Sequence, residues 1–470
     1  MKRKLIFLIF SAILINGCAQ MPKRALQAPE TALDTGGETT MLFHSVLYYP
    51  GAISLNFQGY IVGIEKSPVK IIAPAEDILI GGRPLDGLNQ KDAYNEVVDK
   101  KILFISHIIK DINAPFGIGN CFLYNAYVQP GDNETKQLVE SCKEVGTPTP
   151  IPPNHAYKMS WDALELLRKS IERRLRTGKY THIIVIIMGW NTVQEEAIRS
   201  FNSIIKNIKK AANNQDQTFN PLVVGVTWPS QWQSSWLGPL YKALSFPVKA
   251  HDADELGLTW LGVLLHDTLP KALNNVKNCQ EMPVVIIGHS FGARAATVAA
   301  CVGPVIYKTP DEKIKIKNMA NYELISLQGA FFIRRLFGQH DRGIHFHDYC
   351  PTVSRLFLTS SKYDIAMDAM LLGPYAGNDK SYKKYCGKGG SEILSCLRAD
   401  KYGDITDKFG NPVKFSELKH IVYINADHLI YQNAYLSGGG AHSDIFRPEH
   451  GVLMWQLISG HINSRSGDMY

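Results

Sequence analysis

The chain has 470 residues, of which 45% are hydrophobic and 20% charged, so it can bury a large core and is not a disordered or low-complexity polymer. One large domain with additions is the simplest division at this length. The formal charge of +7 falls further once Lys2, Arg3 and Lys4 leave with the leader described next, and the balance left is too mild to argue for nucleic-acid binding.

Lys2-Arg3-Lys4 is followed by the apolar run LIFLIFSAILI and then by Asn16-Gly17-Cys18. A basic flank, an apolar run too short to span a bilayer as a mature helix, and a small residue before the break make residues 1–17 an export leader. Ile15-Asn16-Gly17-Cys18 resembles the bacterial lipobox. That resemblance implies cleavage before Cys18 and lipid attachment to its thiol, with two or more acyl chains giving a stable membrane anchor. Ala19, in place of Asp, resembles the outer-membrane sorting signal of Gram-negative lipoproteins, which implies a location in the cell envelope facing the periplasm. A plain cleaved leader with an incidental Cys18 is the alternative.

Residues 18–45 are polar, with Pro, Thr and Gly and little periodicity, and read as a flexible tether. Residues 46–145 form a β-rich region: SLNFQGYIVGIE, VKIIAPAEDILIGG, KKILFISHIIK and FLYNAYV are strand-like runs broken by Gly and Pro. They supply either the first strands of the main sheet or a separate β-rich layer. GTPTPIPPN, at 146–154, is a Pro/Thr linker.

From residue 155 strands and helices alternate. SWDALELLRKSIERRLRTGKY is an amphipathic helix that Ser160 could cap; HIIVIIMGWN is a buried strand ending in a Gly turn; EEAIRSFNSIIKNIKKA is a second amphipathic helix. PLVVGVTWPS is the next strand, and LGLTWLGVLLHDTLPKALNNV a helix breaking near Pro270. VVIIGHSFGARAATVAA, from Val284, reads strand, sharp turn, small-residue helix. ELISLQGAF, RLFLTSS and HIVYINA are later strands, and PEHGVLMWQLISG is the last helix. This alternation predicts a mainly parallel sheet with helices on both faces.

Gly288-His289-Ser290-Phe291-Gly292 between a strand and a helix is the arrangement that holds a serine in a strained turn with its hydroxyl above the sheet edge. Gly288 and Gly292 lack the Cβ atoms that would collide where strand and helix approach. Roughly 0.2 chance matches to such a pentad are expected in a chain of this composition, so the flanking strand and helix carry the discrimination.

Acyl transfer by a serine further needs a base, an acid to orient it, and donors for the oxyanion. Asp364, just past RLFLTSSKY, is the acid candidate, with Asp368 one helical turn later as its rival and a helix cap as the structural reading. His442, in SGGGAHSD, is the base candidate, because three glycines let the loop bring an imidazole over the serine; His428 and His450 are rivals. The backbone N–H groups of Phe291 and Trp190 are the expected oxyanion donors.

GHSFG, MGWN, TWPS, the Asp364 strand end and the His442 loop, in this order over roughly residues 155–460, resemble the α/β-hydrolase superfamily. MGWN is similar to the His-Gly-Tyr-Asn element of an uncharacterised branch, with Met188 where His is usual. The resemblance implies an α/β-hydrolase fold and a serine hydrolase that needs no cofactor and no metal. The implied substrate is a small-molecule or lipid ester; thioesters, peptides and acyl transfer stay open, since the superfamily hosts them all. Trp190, Trp228, Trp232 and Trp236 favour apolar carboxylic esters. An inactive envelope interaction protein on the same scaffold is the rival from another class.

With Cys18 lipidated, seven thiols remain. An exported protein permits disulfides, and Cys121–Cys142 and Cys386–Cys396 are the pairs that close short polar loops, with Cys301 a core thiol. His345, His347, Asp348 and Cys350 have donor types a metal could use, but ordinary loop polarity explains the same residues. The Gly- and Tyr-rich segment 372–412, between acid and base, is either a lid or specificity wall over the site or an inert surface excursion.

Overall fold

The computed structural model describes residues 55–66, 103–114, 117–126, 153–230, 238–306, 308, 319–337, 346, 350–368, 375–387, 393–432 and 440–467. The leader, Cys18, the tether, the run at 69–82, the linker up to 152, Cys142, Trp232, Trp236, His345, His347 and Asp348 lie outside these residues.

Eleven strands form one sheet: β1 (Gly59–Lys66), β2 (Leu103–Ala114), β3 (Gly117–Asn125), β4 (His182–Ile187), β5 (Pro221–Thr227), β6 (Val284–His289), β7 (Met319–Leu327), β8 (Val353–Ser360), β9 (Leu394–Ala399), β10 (Ile405–Thr406) and β11 (Ile421–Asn425). Their order is β10-β9-β11-β8-β7-β6-β4-β5-β1-β2-β3. From β9 through to β1 every neighbouring pair is parallel, and β10, β2 and β3 add antiparallel edges. The apolar runs HIIVII and VVIIGH are buried at every position, as central parallel strands covered on both faces must be.

The longer helices are α1 (Pro153–Thr177), α2 (Gln194–Asn214), α3 (Gly238–Leu258), α4 (Phe291–Cys301) and α5 (Pro448–Gly467). The chain passes from β4 through α2 to β5 on one side, then from β6 through α4 to β7 on the other. Right-handed crossovers therefore put α2 and α4 on opposite faces of the sheet. In α2 the buried Ala197, Ile198, Phe201, Ile204, Ile205, Ile208 and Ala212 form one stripe, and α5 packs beside it; α3 packs against α4.

Several sequence expectations change here. The N-terminal region makes no separate layer in its described part: β1 pairs parallel with β5, Gly59 opposite Val223 through Gly63 opposite Thr227, and antiparallel with β2. Ser160 is not a cap, because α1 starts earlier, at Pro153. Ser160 is instead buried inside that helix and accepts a hydrogen bond from the Ile105 N–H at 2.9 Å. The helix expected to break near Pro270 is interrupted twice, at Thr259 and by a π turn over Leu264–Thr268 that ends just before the short helix Leu269–Asn274 containing the proline. Within 372–412, β9 pairs parallel with β11, so that part is neither a lid nor a surface excursion but an integral strand near the sheet's edge.

Cys386 and Cys396 are disulfide-bonded, whereas Cys301 is not a core thiol: it pairs with Cys350 across 49 residues, with Cα atoms 4.7 Å apart. Sequence spacing favours short loops, and this bridge instead joins the end of α4 to the turn before β8. It also removes the Cys350 thiol from any metal site. Cys279 is a buried free thiol.

Where α3 packs on α4, Asp254 of α3 is gripped by two guanidiniums. Arg294 approaches it at 2.8 and 2.6 Å and Arg335 at 2.9 Å to each oxygen, with all three residues buried. The two cations hold the Asp254 carboxyl well below the usual range against the opposing effect of burial. Asp254→Ala is expected to cost about 3–5 kcal/mol of unfolding free energy, read from urea denaturation, because it strips the shared acceptor from two buried cations.

Candidate active site

The chain order switches direction between β4 and β6, and ligand sites in open α/β sheets form at the C-terminal ends of strands at such a switch. Ser290 sits there, between β6 and α4, with φ 57° and ψ −121°. That conformation costs an L-residue about 1–3 kcal/mol and persists only if its surroundings enforce it. Its N–H donates to Leu327 O at 3.0 Å, and its carbonyl accepts from Ala330 N–H at 3.1 Å and Arg294 N–H at 3.2 Å. A Cβ at Gly288 would lie 2.5 Å from Ala293 Cα, and one at Gly292 2.3 Å from Ile187 O, so the elbow closes only with glycine at both positions.

The loop after β4 lies directly against the serine: a Cβ on Gly189 would come within 2.6 Å of Ser290 Cβ and 3.2 Å of Oγ. Asn191, at φ 60°, turns the chain back toward α2. TWPS, the end of β5, clamps this loop. Trp228 Nε1–H donates to Met188 O at 2.9 Å, Asn191 N–H to Ser230 O at 3.0 Å, and Thr192 N–H to Ser230 Oγ at 3.1 Å. Met188 is buried, and the loop is fixed through its backbone. Trp190 and Phe291 flank the serine from two elements, their rings 6.4 Å apart.

Asp364 and His442, separated by 78 residues, meet: His442 Nδ1 lies 2.8 Å from Asp364 Oδ2. Asp364 Oδ1 also accepts from Met367 N–H at 3.2 Å, so the helix-cap reading and the acid reading describe the same carboxylate, one oxygen each. The carboxyl side chain is fully buried and the imidazole 15% exposed.

His442 is held next to the elbow through its own carbonyl. That oxygen accepts from His289 Nε2–H at 2.8 Å and Gln328 Nε2–H at 3.0 Å, and the His289 and His442 rings are 4.8 Å apart. A carbonyl can only accept, so His289 Nε2 carries the proton. Burial, aided by the neighbouring His442, pushes the His289 pKa down to about 3, which keeps that donor neutral. His289 and Gln328 come from the ends of adjacent strands β6 and β7. Sequence reading passed over both; the signals were a histidine inside the pentad and a polar residue directly after an apolar strand.

The rivals stand elsewhere. His428 is exposed in the turn after β11. His450 is buried at the start of α5 with neither ring nitrogen hydrogen-bonded, and burial lowers its pKa to about 4. The side chain of Asp368 is outside the described set.

Beside the serine is an aromatic wall. Phe246 packs on Phe291 at 4.6 Å and on Trp190 at 5.5 Å, and Tyr375, stacked on Phe332 at 4.7 Å, continues it 6.4 Å from Phe246. Tyr375 belongs to the Gly- and Tyr-rich segment, whose first part is anchored by Ala376 N–H to Phe331 O at 2.8 Å and thus contributes to this wall. Trp228 is buried and serves the clamp already described. Among the described residues no cluster of metal-ligating side chains occurs.

No curated protein and no solved structure matches the chain. Residues 165–300, from within α1 almost to the end of α4, match the family model described as an alpha/beta hydrolase of unknown function (DUF900). With the sheet order and the strained elbow at its switch point, that match identifies the chain as carrying an α/β-hydrolase fold.

Proposed function

We propose that this protein is a serine hydrolase that cleaves carboxylic esters through an acyl-enzyme intermediate. The observation that carries the reading is the 2.8 Å contact of His442 Nδ1 with a buried carboxylate, in a loop hydrogen-bonded to the residue before a strained serine. Ser290 Oγ attacks the ester carbonyl carbon as its proton passes to His442 Nε2. Asp364 stays ionised, fixes the Nδ1–H tautomer and stabilises the imidazolium. The oxyanion is received by the N–H groups of Phe291 and Trp190. Collapse expels the alkoxide, which takes the proton from His442. Water then repeats the sequence on the acyl-enzyme and releases the acid.

The aromatic wall favours an apolar acyl or alcohol portion, as in simple esters or lipids. The lipobox-like segment ending at Cys18 supports attachment to the envelope, at the outer membrane facing the periplasm. Two disulfides among the described residues agree with an oxidising compartment, and no described helix is long and apolar enough to cross a membrane.

A fluorophosphonate probe tests the reading. The intact protein is expected to gain one covalent adduct on Ser290, located by peptide mass spectrometry, and the Ser290→Ala protein none. An unlabelled wild-type protein would sink the enzyme and leave an interaction protein on a hydrolase scaffold.

A further inference from the structure

The exposed large apolar side chains among the described residues are Val193, Tyr363, Ile365, Tyr402, Phe409 and Tyr431. All except Phe409 lie in the connections that leave the C-terminal ends of parallel strands: Val193 after β4, Tyr363 and, opening a short helix, Ile365 after β8, Tyr402 after β9, Tyr431 after β11. Parallel strands end on one edge, so these residues share the edge on which Ser290 opens. Chance would scatter them over the surface.

They also border the site itself. Ala441 N–H donates to Tyr363 O at 3.0 Å, and a Cβ on Gly440 would lie 2.8 Å from Ile365 Cγ1, so this pair flanks the His442 loop. On the other side Tyr431 N–H and Gln432 N–H donate to Asp444 at 3.0 and 2.8 Å. Val193 stands beyond the oxyanion loop.

Each aromatic on this edge carries a cation. Lys362 Nζ is 4.9 Å from the Tyr363 ring centre, Lys401 Nζ 4.9 Å from that of Tyr402, and the Arg447 guanidinium 4.6 Å from that of Tyr431. Two of these cations already share an acid, Lys362 with Asp427 at 3.7 Å and Arg447 with Asp444 at 2.8 Å, while Asp400 beside Lys401 accepts backbone N–H groups of Tyr402 and Asp404. Amphipathic rings with adjacent cations match the headgroup zone of a bilayer with anionic lipid, where rings enter the interface and cations meet phosphates.

From β4 to β9 the edge crosses five strand spacings, about 24 Å. Side chains spread singly over that width, with no continuous apolar centre, suit a broad fluid surface better than a protein partner's packed core. The roughly 35 residues between Cys18 and Leu55 would span about 120 Å at full extension, ample for an anchored molecule to turn this edge onto its own membrane.

We infer that the loop edge bearing Val193, Tyr363, Ile365, Tyr402 and Tyr431 seats on an anionic bilayer surface and presents Ser290 to ester lipids within it. The docking stands on the surface; the substrate class rests on the hydrolase reading above.

Phe409 supplies a matched control. It is 77% exposed and has Lys408 Nζ 5.0 Å from its ring centre, but it follows β10, which runs antiparallel to β9. An environment-sensitive nitrobenzoxadiazole dye is attached to Tyr431→Cys or to Phe409→Cys in the full chain. The labelled proteins are reconstituted in vesicles of phosphatidylethanolamine and phosphatidylglycerol. The dye at 431 is expected to shift to the blue and to be quenched by brominated acyl chains, and the dye at 409 to stay water-like. A water-like dye at 431, or equal responses at both positions, overturns the docking.

In a second arm, Tyr402→Ser/Tyr431→Ser should hydrolyse soluble nitrophenyl acetate at the wild-type rate but lose about tenfold on a long-chain diacylglycerol held in the same vesicles. Equal effects on both substrates overturn the substrate class. If the wild type hydrolyses neither ester while the 431 dye inserts, the docking holds and the hydrolase reading fails.

Discussion

Ser290→Gly is expected to abolish ester turnover and at the same time to make the protein more stable. Without Oγ there is no acyl-enzyme, and loss of the nucleophile of a triad costs about 10⁶-fold in kcat, with only oxyanion donors and binding left. The backbone argues the opposite way for stability. Ser290 is held at φ 57° and ψ −121°, a region that glycine enters freely and an L-residue enters at about 1–3 kcal/mol. The bonds that impose this conformation run from the Ser290 N–H and carbonyl, and glycine keeps both. Ser290→Ala separates the two effects, since alanine loses the hydroxyl but keeps the Cβ and the strain. Turnover should vanish in both variants, while the urea midpoint rises only in Ser290→Gly. A glycine variant less stable than the alanine variant would mean that the elbow stores no strain; residual turnover near the wild-type rate in either would remove Ser290 from the chemistry.

The parts of the molecule legible in the sequence are those decided locally. VVIIGH must be a buried strand because no polar position breaks it before the glycine, and the small residues of GARAATVAA suit a helix pressed against that strand. Asp364 and His442 could be singled out as candidates that would meet because each follows a recognisable strand and carries a side chain of the type a serine base system needs, and their side chains are in contact. What stayed hidden depends on which strands are neighbours. Gln328 and His289 reach the same carbonyl only because β6 and β7 pair in register with Gly288 opposite Ser326. Cys301 finds Cys350 for a similar reason, since the end of α4 returns beside the turn that opens β8. β9 lacks the long apolar run of a central strand, because it lies next to the short edge strand β10 and is buried at only some positions. Ser160 shows the ambiguity of a serine ahead of an amphipathic stretch, which has the same local signature whether it caps the helix or fills a buried notch that serves Ile105.

Asp364→Asn is expected to lower kcat by about 10⁴-fold with little change in KM, an effect larger than any stability loss could produce in a protein that still folds. Asp364 performs two tasks with separate oxygens: Oδ1 receives the Met367 N–H and Oδ2 faces His442 Nδ1. Asparagine retains the first, since its carbonyl oxygen can still cap the short helix over Ile365–Asp368. It cannot retain the second. Its amide N–H₂ would face Nδ1 and require a lone pair there, which moves the imidazole proton to Nε2, the atom that accepts the proton of Ser290 in the proposed mechanism. The negative charge that stabilises the imidazolium is lost as well. Turning the amide over would restore an acceptor for His442 but would point N–H₂ at the Met367 N–H, so one of the two contacts fails in either orientation. Asp364→Ala loses both contacts and should show the same kinetic loss plus about 1 kcal/mol less stability, because the cap goes with the charge. The pair of variants thus separates orientation of the base from folding of the loop, by kcat and KM on one ester and by urea denaturation. If Asp364→Asn kept kcat within about tenfold of wild type, the 2.8 Å contact would be structural and the base would be oriented by its carbonyl latch to His289 and Gln328 alone.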